Sequence, residues 1–272
     1  MSSPSSLAVV LALSAALFAV GMAPGSARAE DAIPAPLQGI GIDDRSGATI
    51  PRDVALRDQD GRTVTFGDLL RDDGKPVVLV LAYYQCPMLC TVVLNGMTDG
   101  LRELAWTAGA EYRVVTVSID PRDTPEMARR KRASYVDAYG RTVGEHAWDF
   151  LVGDEANVKR LADAVGFHYR WDEATQQYAH AAGAFVLTPD GRVSTTLHGA
   201  RFPGNALRLA LVDASHGKLG TAWDRVVLLC FHYDPAAGSY VVATTRLVKA
   251  LGVVTVLLLG SWLARLWRKE AT

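Results

Sequence analysis

Residues 77–95, VVLVLAYYQCPMLCTVVLN, constrain this chain more than any other stretch. They open with a run of β-branched, aliphatic and aromatic residues, 77–84, without a charge. Such a run is a strand buried on both faces. Cys86 and Pro87 follow almost at once. Proline is favoured in the first helical turn, so a helix is expected to start at Pro87, with Cys86 at its mouth, and to run through Trp106. Gly96 and Gly100 are weak points along it. Free N–H groups and the positive end of the helix dipole then favour thiolate at Cys86. Cys90 lies one helical turn on, where ideal Cβ atoms are about 5–6 Å apart. A disulfide wants about 3.5–4.5 Å, so a Cys86–Cys90 bridge needs local adjustment. A soft metal between two thiolates tolerates the wider gap. The spacing therefore admits redox chemistry and Cu(I) or Zn(II) binding, besides a plain structural disulfide or two buried thiols.

The rest of the chain alternates strand and helix signals. Residues 30–50 are rich in Pro, Gly and Asp and read as an irregular lead-in. Residues 54–56 and 63–66 flank Asp58-Gln59-Asp60-Gly61 as a hairpin, and 66–70 form a helical turn. A second strand covers 112–119. Thr124 caps a helix with Pro125 at its first position, and the basic run Arg129–Arg132 on it reads as a solvated face. A third strand at 148–152 is followed by a helix over 154–165 that stops at Gly166. A hairpin, 184–188 with 192–196, turns at Pro189-Asp190-Gly191. A helix over 205–216 and a strand over 226–232 close the domain, which is expected to span 51–235. This βαβ-then-hairpin order, with cysteines at the first helix mouth, is that of an α/β thioredoxin-like fold. Ligands in α/β sheets sit at the carboxyl ends of strands, where Cys86 falls.

The two ends read differently. Residues 6–22 are uncharged and largely apolar, and Ala27-Arg28-Ala29 offers a small-x-small cleavage site. Residues 1–29 are therefore expected to be a signal peptide. Residues 247–267 form a second apolar segment, long enough to span a bilayer, and residues 268–272 a short basic tail on the cytoplasmic side. The domain between is expected on the outer face of the inner (plasma) membrane, tethered at its C-terminus. Arg28, Lys249, Arg265, Arg268 and Lys269 lie in these end segments, so the remainder is acidic, which argues against nucleic acid as a partner. Three cysteines in an exported chain are too few for a disulfide scaffold. They suggest one functional pair and one left over.

Three motifs then carry a resemblance. Tyr83-Tyr84-Gln85-Cys86-Pro87-Met88-Leu89-Cys90 resembles the CPxxC loop of the Sco/SenC family of thioredoxin-like copper proteins. Val117-Ser118-Ile119-Asp120-Pro121-Arg122-Asp123-Thr124-Pro125 resembles its SIDP…DTP segment. His180, nine residues before Pro189-Asp190-Gly191, matches the family's histidine ligand in spacing. The resemblance implies copper, as Cu(I) or Cu(II), held by Cys86, Cys90 and His180, with Cys86 and Cys90 also a redox pair able to form a disulfide. It implies delivery to the binuclear copper site on the copper-bearing subunit of cytochrome c oxidase, with other copper chaperones or thiol reductants as further partners. Thiol–disulfide exchange with that site, or with another exported partner, is the alternative. A peroxidase is a weaker third reading, because Tyr83 stands where a Thr-x-x-Cys arrangement would need threonine. The chain departs from the commonest pattern at Gln85, Met88, Leu89 and Ala179 and in its C-terminal anchor, but retains all three ligands.

Asp120, Arg122 and Asp123 are expected to shape the rim by hydrogen bonding. His146, His168, His198 and His216 read as structural or surface residues. Cys230 and His232 share one strand face and make a possible secondary metal site. The favoured alternative is a core thiol beside a turn-capping histidine.

Overall fold

The computed structural model describes residues 39–71, 73–85 and 89–216, the backbone of 231–234 and 239–242, and Thr255. The first buried strand forms as β4, Val77–Ala82, with every residue buried. It stops short of Tyr83 and Tyr84 because the Tyr84 N–H turns to the Asp123 carboxylate, at 2.7 Å, instead of continuing the ladder. β5, Arg113–Ser118, and β6, Trp148–Leu151, extend the sheet in parallel, also fully buried. β9, Gly183–Leu187, pairs antiparallel with β4, and β10, Val193–His198, antiparallel with β9. The order across this sheet is β10-β9-β4-β5-β6. This α/β arrangement carries the parallel strands and closing hairpin expected of the sequence.

Five helices are described. α1, Phe66–Leu70, opens with a capping box between Thr65 and Asp68 and follows the hairpin of β2, Ala55–Arg57, and β3, Thr63–Thr65. α2, Leu89–Glu103, buries a stripe of Val93, Leu94, Met97 and Leu101. α3, Pro125–Tyr139, is capped by Thr124, with Pro125 in its first turn. α4, Glu155–Val165, is capped by Asp154 and closed by Gly166 at φ 74°. α5, Gly204–Ala214, receives at its first N–H the Glu103 carboxylate of α2, at 2.7 Å. α2 packs against α3 and α5, α3 covers β6, and α5 lies on β9 and β10.

Several expectations are corrected. α2 ends at Glu103 rather than Trp106: Leu104 tightens onto the Leu101 carbonyl, and Arg141 donates to the carbonyls of Arg102, Leu104 and Trp106. Within the lead-in, β1, Gly41–Ile42, pairs with β7, Phe167–Asp172. β7 and β8, Gln177–His180, form a hairpin the sequence reading did not place, in a separate sheet of order β1-β7-β8. The basic run of α3 is not simply solvated. Arg129 donates to the Gln59 carbonyl, and Arg132 to those of Trp148 and Glu145, clamping the helix to the chain beneath it. The last strand is seen as β11, Phe231–Asp234, paired with β12, Ser239–Val242.

Gly96 and Gly100 are not weak points but contact points. A Cβ at Gly96 would lie 2.0 Å from the Ala200 carbonyl oxygen, and one at Gly100 1.9 Å from that of Phe202. Backbone meets backbone there, and neither side can rotate away. Gly144, by contrast, has no atom within 4 Å of such a Cβ. Gly96→Ala and Gly100→Ala should each lower unfolding free energy by about 3 kcal/mol or more, while Gly144→Ala stays within about 0.5 kcal/mol of wild type. Chemical denaturation of the three variants checks this; a neutral Gly100→Ala would contradict the packing.

Candidate metal site at the end of strand β4

Where β4 and β5 end side by side, a carboxylate ties them together. Asp123 Oδ2 accepts the Tyr84 N–H at 2.7 Å and the Ser118 hydroxyl at 2.6 Å, and Oδ1 accepts from Gln85 Nε2 at 3.5 Å. Burial pushes the Asp123 carboxyl up from its usual range, against the pull of the Ser118 and Tyr84 hydrogen bonds. Tyr84 is anchored at its other end too, its buried hydroxyl donating to the Leu151 carbonyl at 2.7 Å. The residues leading into Cys86 are thus held from three directions. Asp120, 1% exposed, accepts from Arg122 Nη2 at 2.7 Å and Nε at 2.9 Å, so the expected rim residues do hydrogen-bond.

His180 comes to the same place from the opposite side of the chain. It ends β8 and is 8% exposed. Its ring packs edge-on to Tyr83, centroids 6.0 Å apart, and lies 5.9 Å from the Phe167 ring. Tyr83 is three residues ahead of Cys86. His180 Nδ1 lies 2.8 Å from the Ala181 carbonyl oxygen, which can only accept, so Nδ1 carries the proton and Nε2 the lone pair of the neutral ring. Burial holds the imidazole below its ordinary pKa, against that carbonyl bond. A neutral imidazole with its second nitrogen bound to a carbonyl has the state and orientation of a metal ligand. A polar cavity of about 380 Å³ opens at Tyr83, lined also by Gln85, Asp120, Arg122, Gln176 and Gln177 among others.

A sequence profile of the SCO1/SenC family matches residues 43–209, well over half of the chain. The chain belongs to the SCO1/SenC family. Among solved structures it is similar to two Aquifex aeolicus proteins described as putative electron transfer and electron transport proteins. They match at 22% and 24% identity, covering 64% and 62% of this chain and 96% and 98% of theirs, with TM-scores of 0.56 and 0.51. Arabidopsis thaliana ScoI, solved with copper bound, matches at 21% identity over 64% of this chain and 99% of its own, with a TM-score of 0.47. No curated protein matches in sequence.

In this SCO1/SenC chain the predicted residues fare differently. His180 and the Asp120–Asp123 rim stand at the end of β4 as described. Cys90 enters the first turn of α2 by its backbone; Cys86, Pro87, Met88 and the Cys90 side chain lie outside the described residues. Cys230 also lies outside them, and His232 is seen only as a backbone position of β11, opposite Val241. Among the described residues no group of three or more His, Cys, Asp or Glu gathers as a metal cluster, and no helix is long and apolar enough to cross a membrane. Residues 1–29 lie outside the described set, as does the expected span 247–267 apart from Thr255. His146 and His168 pair with Asp149 and Asp43, in keeping with structural roles.

The sequence reading missed Tyr83 as the neighbour of His180, and Tyr178 and Trp171 behind it. Tyr178 lies 5.8 Å from Tyr83 and 5.0 Å from Trp171, ring to ring. A signal was present: Phe-His-Tyr-Arg-Trp-Asp over 167–172 alternates perfectly between aromatic and polar residues. No glycine marks the turn that follows; Gln176 takes the left-handed conformation instead, at φ 53°.

Removing the Asp123 carboxylate orphans a buried N–H and hydroxyl at once. Asp123→Ala should cost about 2–6 kcal/mol, from about 1–3 kcal/mol for each of the two buried groups left unpaired. It should also speed amide exchange at Tyr84 well beyond the change seen in β6. Denaturation and site-resolved exchange test this; an unaltered Tyr84 amide would remove Asp123 as the anchor.

Proposed function

We propose that this SCO1/SenC protein carries copper on the outer face of the plasma membrane. In this reading copper is cargo, bound by Cys86, Cys90 and His180 and handed to the copper-bearing subunit of cytochrome c oxidase. Residues 247–267 anchor it, and residues 268–272 stay in the cytoplasm. The observation that carries the reading is His180: a buried imidazole, kept neutral, its Nδ1–H directed at Ala181, its ring edge against the tyrosine that leads into Cys86. Simple thiol exchange has no use for such a histidine.

The donor set fits copper. Two thiolates satisfy Cu(I), and an imidazole adds the nitrogen that Cu(II) prefers. Three protein ligands leave room for a fourth from the acceptor, so the ion can pass by ligand exchange. The Asp123–Tyr84 anchor keeps the approach to Cys86 fixed while that happens.

His180→Ala should weaken Cu(II) binding by at least about 100-fold, since even outer-shell changes at metal sites cost about 10–100-fold, and Cu(I) binding much less. Copper titration of the reduced full-length protein, with absorption and electron paramagnetic spectra, reads both. An unchanged Cu(II) affinity and spectrum would take His180 out of the site.

Cysteine variants separate delivery from thiol exchange. Cys86→Ser and Cys90→Ser should abolish oxidase assembly in cells equally, and added copper should partly restore it. If reduction of a partner were the main task, Cys90→Ser alone would trap a mixed disulfide through Cys86, the more acidic thiol, and copper would rescue neither. Probing both variants for trapped partners, with and without added copper, decides between them.

A further inference from the structure

His180 is carried by a hairpin that strand pairing does not attach to the cysteine end of the main sheet. β7 and β8 belong to the small sheet β1-β7-β8, whereas the approach to Cys86 leaves β4 in the five-stranded sheet. The base of the hairpin is fixed: Gly199 donates to the Ala182 carbonyl at 3.0 Å, just past His180, and Asp43 donates to the Gly166 carbonyl at 2.8 Å, just before β7. Its far end, Trp171 to Tyr178, has no such backbone tie to the main sheet among the hydrogen bonds described. Side chains hold it. Tyr178 and His180 pack on Tyr83, and the Arg122 guanidinium lies 4.5 Å from the centre of the Trp171 ring. Arg122 cannot swing away freely, because Asp120 grips it through Nε and Nη2.

We propose that Arg122 and Trp171 form a latch that closes the histidine hairpin onto the loop after β5, and that Arg122 is thereby a positioning residue for His180. The proposal rests on the copper reading of His180 only for its consequence, not for the latch itself. Asp120 orients the guanidinium, the guanidinium holds Trp171, and Trp171 packs on Tyr178, its cross-strand partner in the β7–β8 register. Tyr178 in turn meets Tyr83, which touches His180. The three rings Trp171, Tyr178 and Tyr83 thus set the imidazole relative to the residues leading into Cys86. Half-exposed cation–π contacts are worth about 0.5–1 kcal/mol, which corresponds to about 2- to 5-fold in a local opening equilibrium.

The test uses Arg122→Gln, Trp171→Leu and the double variant of the full-length protein. Trp171→Leu is needed because Arg122→Gln also takes the cation from Asp120, a nearly buried carboxylate. Amide exchange in β7 and β8 of the metal-free protein should quicken about 2- to 5-fold in Arg122→Gln and at least as much in Trp171→Leu, which also loses the Tyr178 contact, with β4, β5 and β6 unchanged. The double variant should be no faster than the quicker single one, since both break the same contact. In the copper titration the same variants should lose about 2- to 5-fold in Cu(II) affinity and leave Cu(I) affinity unchanged. Additive effects in the double variant, or exchange that rises evenly through the whole domain, would overturn the latch. If the wild type itself binds no copper while the exchange pattern appears as described, the copper reading fails and the latch stands. If copper binds as proposed and β7–β8 exchange is unaltered, the latch fails alone.

Discussion

A strand with no exposed face demands cover on both sides, and β4 is such a strand. None of its residues is more than 2% exposed. β5 and β9 must therefore flank it, and helices and loops must close over its faces. The one place where such a strand can meet a ligand is its end. There the parallel pairing with β5 brings two chain ends together, and the backbone groups that no longer find ladder partners need others. Asp123 supplies them for Tyr84, and the same carboxylate holds Ser118. The site is thus a by-product of ending two buried strands side by side.

The histidine arrives by different physics. Its hairpin shares no ladder with β4; backbone bonds fix only its base, and rings and one cation held by a carboxylate meet the rest. A ladder is stiff and directional; ring contacts are neither. The two halves of the proposed copper site therefore stand on supports of unequal rigidity. The cysteine side continues from the core, and the histidine side leans on it through Tyr83.

Much of this was legible in the chain. β4 shows as an apolar run because both faces are buried, β5 and β6 as more mixed ones, and α3 and α4 announce themselves through Thr124-Pro125, Asp154 and Gly166, residues whose roles are local. What escaped depends on distance. Gly96 and Gly100 look like helix breakers until the 199–203 loop is seen against them. Arg132 looks solvated until the Trp148 carbonyl is found above it. The β7–β8 hairpin was hidden by a turn without glycine, although its alternation was plain. His180 could be named only through resemblance, since a lone histidine before a strand carries no signal of what it will face. Its neutral, buried state had to come from the fold.

The contact at Gly96 and Gly100 bears on how the site could work. Side chains that meet can change rotamer; a helix backbone pressed on another backbone has no such freedom. α2 is in effect keyed into the 199–203 loop, able neither to roll nor to slide along it. Cys90, on the first turn of that helix, shares its immobility. On the proposed copper reading, a change in ligand spacing as the ion arrives or departs would then be taken up on the other side, by the histidine hairpin. The proposed site has one fixed jaw, and the motion that transfer would need belongs to the other.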